Sequence, residues 1–378
     1  MANQFQTISS GLGQLKIYYE GPIQDQLNNE LPVLRASEKI TKGWSGLQVN
    51  RPLRLVRNQG IGATADNGNL PNIGRQTTAQ AVIQARYNYL RFGITGAMIK
   101  ASQSDVGSFV RSAAYELEMG YKDLKWDMNR QMSWNGSGAL ATVSSAAVAS
   151  TSVTIAGRES TEQALKFLDV GATFDVYTTG GTLVQAGLTI QSISSGDANS
   201  ATAVIVLDQP LTASAGNILV RAGAFGNEVQ GLLTALDGAT TTVYGIDRAT
   251  FINYQGNVQN NAGQALSLDA MQAAYNNALR RGGRALNAVW TDFTSLRMYQ
   301  KLLTPDKRYS NTVKADGTFG DKDKFYMDFM GIPVVADQSA PTRFMFLPAE
   351  AFKFYELCPL SFADEQGTIN LEHSETLH

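Results

Sequence analysis

Residues 44–100 place the hardest constraint on this 378-residue chain. Two extended runs, WSGLQVNRPLRLVRNQ and QTTAQAVIQARYNYLRFGITGAMI, flank a stretch dense in glycine and asparagine, IGATADNGNLPNIGR. The first run alternates, and the second is rich in β-branched and aromatic residues, so both read as strands. A hairpin with legs of ~16–20 residues would reach about 55–65 Å at ~3.3 Å per residue. An isolated two-stranded ribbon is marginal in water. Such an arm must lie on something, either the body of its own chain or a neighbour.

Within the tip, Gly60, Gly62 and Ala65 match the dinucleotide fingerprint G-x-G-x-x-G/A. That fingerprint works only where the turn opens a helix whose amides face the pyrophosphate. Here it is followed by Asp66, Gly68, Asn69, Pro71 and Gly74, which is turn chemistry without an apolar helical stripe. Gly60, Gly62, Gly68 and Gly74 therefore read as a flexible loop tip. Residues 43–99 contain no lysine and a single acid, Asp66, against Arg51, Arg54, Arg57, Arg75, Arg86 and Arg91. Six arginines against one acid give +5 in a chain whose total is −2. Arginine alone on a projecting ribbon suits bidentate pairing with carboxylates or phosphates of a partner. Incidental arginine use on a surface hairpin is the plainer alternative.

Residues 104–135 predict a long helix. Val106, Val110, Ala113, Leu117, Tyr121, Leu124 and Met128 recur at spacings of three and four, with Ser104 as N-cap and Trp134-Asn135-Gly136 as the stop. Composition then changes. Residues 139–226 hold 21 Ser and Thr but only nine charged residues, in short β runs (TSVTI, ATFDVY, LTIQSIS, TAVIVLD, NILVR) divided by TTGG and SSGD. This predicts a small β-barrel or sandwich inserted between helical flanks. Before the arm, Pro22 and Pro32 are expected to interrupt a short helical piece. After residue 227 the pattern is mixed α/β. Helix SLDAMQAAYNNALRRGG starts at Ser267, strand LNAVW and helix DFTSLRMYQKLL follow, then FYMDFMGIPVVAD, RFMFLP and a last β run ELCPLSFADEQGTINLEH.

Little catalytic chemistry is available. The two histidines, His373 and His378, sit in the last six residues, so metal clusters and Ser–His–Asp or Cys–His arrangements are hard to build. Asp316, Asp321 and Asp323 lack the Ca²⁺-loop spacing, and Cys358 is single, which excludes an intrachain disulfide. We expect no catalytic, cofactor or metal site. The start lacks a signal-peptide pattern, and no run approaches a membrane span. A net charge of −2 gives no basic field for gripping nucleic acid.

The order of parts resembles the tailed-bacteriophage major capsid proteins of the Hong Kong 97-like fold. The resemblance is carried by FGNEVQGLLTAL, VYGIDR, LSLDAMQAAYNNALRRGGRALNAVWTDFTSLRMYQKLL, DFMGIPVVAD and RFMFLP, following an arm and one long helix. It implies an α+β chain divided into an N-terminal arm (1–43), an extended loop (44–100) and a peripheral domain with a spine helix (101–138). An inserted β domain (139–226), an axial domain (227–345) and a return to the peripheral domain (346–378) complete it. It implies a shell of hexamers and pentamers, a portal, a separate scaffolding protein, a cement protein, and double-stranded DNA enclosed without sequence-specific binding. Assembly would take place in the host cytoplasm, for a protein of the virion.

The resemblance also implies that the loop arginines meet a neighbour's carboxylates, with Glu116, Glu118, Asp123 and Asp127 of the spine helix as candidates. Relatives that weld their shells start from an extended-loop lysine, which residues 43–99 lack, so a non-covalent shell is expected. A tail or surface β-protein whose 139–226 module binds carbohydrate, an enzyme, and a cargo-holding nanocompartment shell are the rival readings.

Overall fold

A computed structural model describes residues 31–91 except 67, then 93, 106–159, 161–196, 200–238, 241–260, 265–282, 284–303 and 327–358. The N-cap at Ser104, the Asp316–Asp323 loop and both histidines lie outside the described residues. The chain opens with α1 (Pro32–Ala36) and β1 (Glu38–Ile40). Pro32 begins this helix rather than interrupting one, because the amide it lacks would have been unpaired in the first turn anyway. The arm is β2 (Gln48–Val56) paired antiparallel with β3 (Thr77–Gln84). Its legs are half the length expected. The ladder ends at the Val56–Thr77 pair, where Asn58, Gly60 and the polar tip residues take the backbone out of β geometry.

The spine helix, α2 (Val106–Ser133), ends one residue before Trp134. Gly136 and Gly138 both take positive φ there, turning the chain into β4 (Ala139–Val143). β4 belongs to a closed six-stranded barrel with β5 (Ala147–Ala156), β6 (Thr173–Tyr177), β7 (Leu183–Ser195), β8 (Thr202–Ala213) and β9 (Ile218–Arg221). Each short β run expected here is a barrel strand. Alternate residues Val153, Ile155, Ile205, Leu207, Phe174, Val176, Leu188 and Ile190 fill its interior, each worth about 1.5–3 kcal/mol on burial. Closure removes the open edges that short Ser/Thr-rich strands would otherwise expose.

Beyond α3 (Leu232–Leu236) and the small β10 (Thr242–Val243) and β11 (Ile246–Asp247) hairpin come α4 (Leu268–Gly282), β12 (Ala288–Thr291) and α5 (Phe293–Leu303). Then follow β13 (Met327–Phe329), β14 (Ile332–Ala336), β15 (Met345–Leu347) and β16 (Lys353–Tyr355). Ser267 caps α4 through its Oγ, which accepts from the Ala270 amide at 3.1 Å. Asp292 caps α5 by accepting from the Ser295 amide at 2.9 Å. A four-stranded sheet, in the order β13-β14-β12-β15, separates two cores. Val289, Val334 and Phe346 face α4 and α5 through Met271, Tyr275 and Tyr299. Trp290, Val335 and Met345 face Met132 of the spine helix, Val33 and Leu232. β1 pairs in parallel with β16, tying the arm's root to the chain's return. That return strand lies just before the expected final β run, most of which falls outside the described residues.

The barrel is fastened to the spine helix by charge. Arg158 donates to both carboxylate oxygens of Glu162, Lys166 reaches Glu162 at 2.9 Å, and all three side chains are at most 5 % exposed. Lys166 also donates to the Ala340 carbonyl at 3.1 Å, reaching the sheet. Arg130 of the spine helix, fully buried, pairs with Asp127 and with Glu228. Burial alone would raise the Glu162 carboxyl, but Arg158 and Lys166 overcome it and hold it below its usual value of 4.5. Burial and the Arg130 and Arg221 guanidiniums compete in the same way at Asp127, which is also held down.

Replacing one member of such a buried set strands its partners, at about 3–5 kcal/mol. Glu162→Gln should therefore lower stability by that order in denaturant unfolding. Because the folded carboxylates titrate below their unfolded values, their contribution is present above about pH 4.5 and is lost as pH falls through the lower folded values. The wild-type acid unfolding transition should accordingly be steeper than that of Glu162→Gln.

Candidate functional site

The surface that the sequence singles out is the arm and what supports it. One face of the ribbon is apolar. Leu53, Leu55, Ala79 and Ala81 pack on Tyr244, Ile246, Phe251 and Tyr254. The Val82 amide donates to the Tyr244 carbonyl at 2.8 Å, and Asn253 caps the Leu55 carbonyl. Tyr244 takes φ 50°, a conformation that non-glycine residues adopt where surroundings enforce it. The ladder thus rests on its own chain as far as its last pairs, Leu55 and Val56 included, on a segment whose part in this the sequence did not signal.

The six arginines separate into groups. Arg51 is exposed but engaged within its own subunit, donating from Nε to the Tyr355 hydroxyl at 2.5 Å with its guanidinium 5.5 Å from that ring's centre. Arg86 is half-buried beside the root, and Arg91 is exposed. Arg54, Arg57 and Arg75 are exposed, and the register collects them at the far end of the ladder, around the Val56–Thr77 pair. Among the spine-helix acids, Asp127 is engaged inside the subunit. Its side chain is 15 % exposed and contacts Arg130, Arg221 and Gln131. Glu118 pairs with Lys122 at 3.1 Å. Asp123 is exposed and Glu116 half-buried. Glu116 and Asp123 lie on one helical stripe, with Glu118 about 160° away from Glu116 at ~100° per residue.

The tip has a structure of its own. None of Gly60, Gly62, Gly68 and Gly74 takes positive φ. What they share is crowding. A Cβ on Gly60 would stand 2.6 Å from the Gly74 amide nitrogen, and one on Gly74 would meet Gly60 and the Asn58 side chain. A Cβ on Gly62 would press on the Pro71 ring, and one on Gly68 on the Ala65 backbone. Asn58 Oδ1 accepts from the Gly60 amide at 2.8 Å, securing the crossing. At Gly60, Gly62 and Gly74 the missing Cβ lets the two legs of the tip approach closely, while Gly68 closes a local turn, its amide donating to the Ala65 carbonyl at 2.9 Å. Left-handed glycines with open space around them occur instead at the arm's root, at Gly43 (φ 96°) and Gly46 (φ 62°).

Sequence reasoning missed the charged junction under the barrel. A signal was present. Four of the nine charged residues of 139–226 crowd into 158–166 as Arg158, Glu159, Glu162 and Lys166, with 158, 162 and 166 at equal spacings of four. Among the described residues no group of His, Cys, Asp and Glu could hold a metal ion, and no helix is long and apolar enough to cross a membrane.

No protein family and no curated protein matches this chain. Among solved structures, a chain of the cyanophage A-1(L) capsid asymmetric unit is similar, with TM-score 0.57 and 15 % identity over 93 % of this chain and 80 % of that one. The fold is that of a phage capsid chain. At this identity the likeness lies in architecture.

If the tip glycines are fasteners, Gly74→Ala should release the tip while leaving the body intact. Limited proteolysis should then cut within 57–76 at least roughly tenfold faster than in the wild type, with the melting temperature moved by less than the several degrees that about 1 kcal/mol would give.

Proposed function

We propose that this chain is a major capsid protein, which self-assembles into the icosahedral head shell enclosing phage DNA. The observation that carries this is a capsid chain's fold matched along 93 % of the sequence. The arm supports it independently, since the loop beyond the Val56–Thr77 pair, with Arg54, Arg57 and Arg75 exposed around its base, offers a surface suited to a partner. The arrangement we propose is Hong Kong 97-like. Residues 44–100 form the extended loop, 101–138 and 346–378 the peripheral domain, 139–226 an inserted barrel and 227–345 the axial domain around the centre of hexamers and pentamers.

In this reading function resides in interfaces, and no catalytic step is involved. The arm overlaps a neighbour, and Arg54, Arg57 and Arg75 meet its carboxylates, with Glu116, Glu118 and Asp123 of its spine helix as candidates. Asp127, spent inside the subunit, is withdrawn from that role, and so is Arg51. The shell is held without covalent welding. A portal, a scaffolding protein and a cement protein complete it. The near-neutral chain encloses double-stranded DNA without the multiple phosphate contacts that tight binding requires.

Negative-stain electron microscopy with light scattering tests the reading on purified protein, alone and with scaffolding protein supplied. Closed shells, or rings of five and six, are the expected result. A homogeneous monomer or trimer under both conditions would overturn it. Replacing Arg54, Arg57 and Arg75 together by Ala should leave the melting temperature unchanged. At about 0.2–1 kcal/mol for each exposed pair, loss of three weakens every contact at least roughly threefold, so the concentration needed for assembly should rise accordingly.

A further inference from the structure

The net charge of −2 conceals a basic region. Residues 268–326 hold ten Lys and Arg against six Asp and no Glu. Five of the ten lie on α4 and α5 or next to them, and all five are exposed: Arg280, Arg281 and Arg284 at the end of α4 and just past it, Arg297 and Lys301 on α5. Among the described residues none of these five side chains forms an ion pair or a hydrogen bond. Complementing the dipole at a helix's C-terminal end accounts for Arg280, Arg281 and Lys301. It does not account for Arg284, which follows α4, or for Arg297, which lies in the middle of α5.

The topology gathers the five toward one end of the sheet. Tyr275 of α4 and Tyr299 of α5 both meet the Phe329 ring edge-on, at 6.4 and 6.3 Å between centres, so the two helices share one face of the sheet. α4 leads into β12 through a short connection, which leaves its C-terminal end beside that strand's start. α5 begins just after β12 ends and runs back along the sheet, so that the Tyr299 hydroxyl donates to the Asp328 carbonyl at 2.9 Å. Asp328 pairs with Pro333, one residue before the Val334 that pairs with Val289 at the start of β12. Arg297 and Lys301, one turn apart, are both on the exposed side of α5. Asp328, on the edge strand β13, is exposed at the same end and leaves the cations in excess.

We propose that this end of the α4–α5 layer binds the phosphate backbone of double-stranded DNA through Arg280, Arg281, Arg284, Arg297 and Lys301. The proposal rests on the shell reading and deepens it by naming the face that the enclosed DNA meets. Four of the five are arginine, whose forked donors match the oxygens of a phosphate. Phe293, the exposed aromatic residue of α5, sits at the opposite end of that helix, so the patch lacks the aromatic centre that protein partners commonly use. Five contacts are few. Binding to duplex DNA falls with salt at a logarithmic slope of about −0.9 for each phosphate contact, so the hold is weak and salt-sensitive, in keeping with a chain that does not bind DNA tightly.

Unassembled full-length protein would be titrated into a fluorescein-labelled duplex of mixed sequence, with anisotropy read at several salt concentrations. Between about 25 and 100 mM salt the wild type should show a slope of about −4.5, a loss of affinity of roughly 500-fold. Arg280→Gln with Arg281→Gln and Arg284→Gln should leave a slope of about −1.8, and Arg297→Gln with Lys301→Gln about −2.7. The second variant spares the end of α4 and decides alone if the first fails to fold. Replacing Arg54, Arg57 and Arg75 of the arm by Ala should leave the slope unchanged. No wild-type binding at the lowest salt, a slope that the patch variants do not change, or one that the arm variant reduces as far would overturn the proposal. Equal displacement of the duplex by polyglutamate of the same charge would also overturn it, in favour of an acidic protein partner. Microscopy of the same preparations with scaffolding protein supplied reads the shell separately. Shells without patch-dependent binding would leave the shell reading standing, and patch-dependent binding without shells would overturn the reading that the bound DNA is enclosed.

Discussion

Two guanidinium groups buried about one phenylalanine hold this molecule in its arrangement. Arg130 of the spine helix and Arg158 of the barrel connection both lie against Phe167, with their guanidinium carbons 5.9 and 4.3 Å from its ring centre. Arg158 also lies 3.7 Å over Trp134, where the spine helix has just ended. Two like charges in an apolar setting would be intolerable alone. Asp127, Glu228 and Glu162 neutralise them and Lys166, and the carboxylates come from three separate parts of the chain. Displacing the barrel would part Arg221 from Asp127 and lift Phe167 off Arg130, uncovering that buried guanidinium. Asn129 extends the same logic, accepting from the Leu34 amide and donating to Asp337 at 2.8 Å, so helix, arm root and sheet are indexed to one turn of the spine.

Much of the fold was legible because its signals are local. The period of the spine helix, the cap at Ser267 and the alternation of the barrel strands are each decided by a few neighbouring residues, and the structure has them where the sequence predicts. The failures are non-local. Arg130 and Asp127 occupy what reads as the solvent face of an amphipathic helix, and the distant Phe167, Arg221 and Glu228 cover them. Helical periodicity records which face is polar, but not whether a second module will cover it. Arg51 was misplaced for a related reason. Its partner Tyr355 is 304 residues away in the chain.

The arm shows how the same residue type can carry opposite meanings. Glycine in a projecting loop invites the reading of flexibility, because glycine alone crosses freely into positive φ. At 60 and 74 that freedom is unused. There the missing Cβ permits two backbones to touch, which makes the tip stiffer than any other residue would allow. The conformational use of glycine appears at 43 and 46, where φ is positive and nothing crowds the site. In the shell proposed above, a subunit would meet neighbours at more than one angle and would need a joint somewhere along its arm. A joint at the tip would blur the contact surface itself. A joint at the root moves a finished surface as one body and leaves its side chains in register with whatever receives them. The distribution of glycines between crowded and open positions favours the second design.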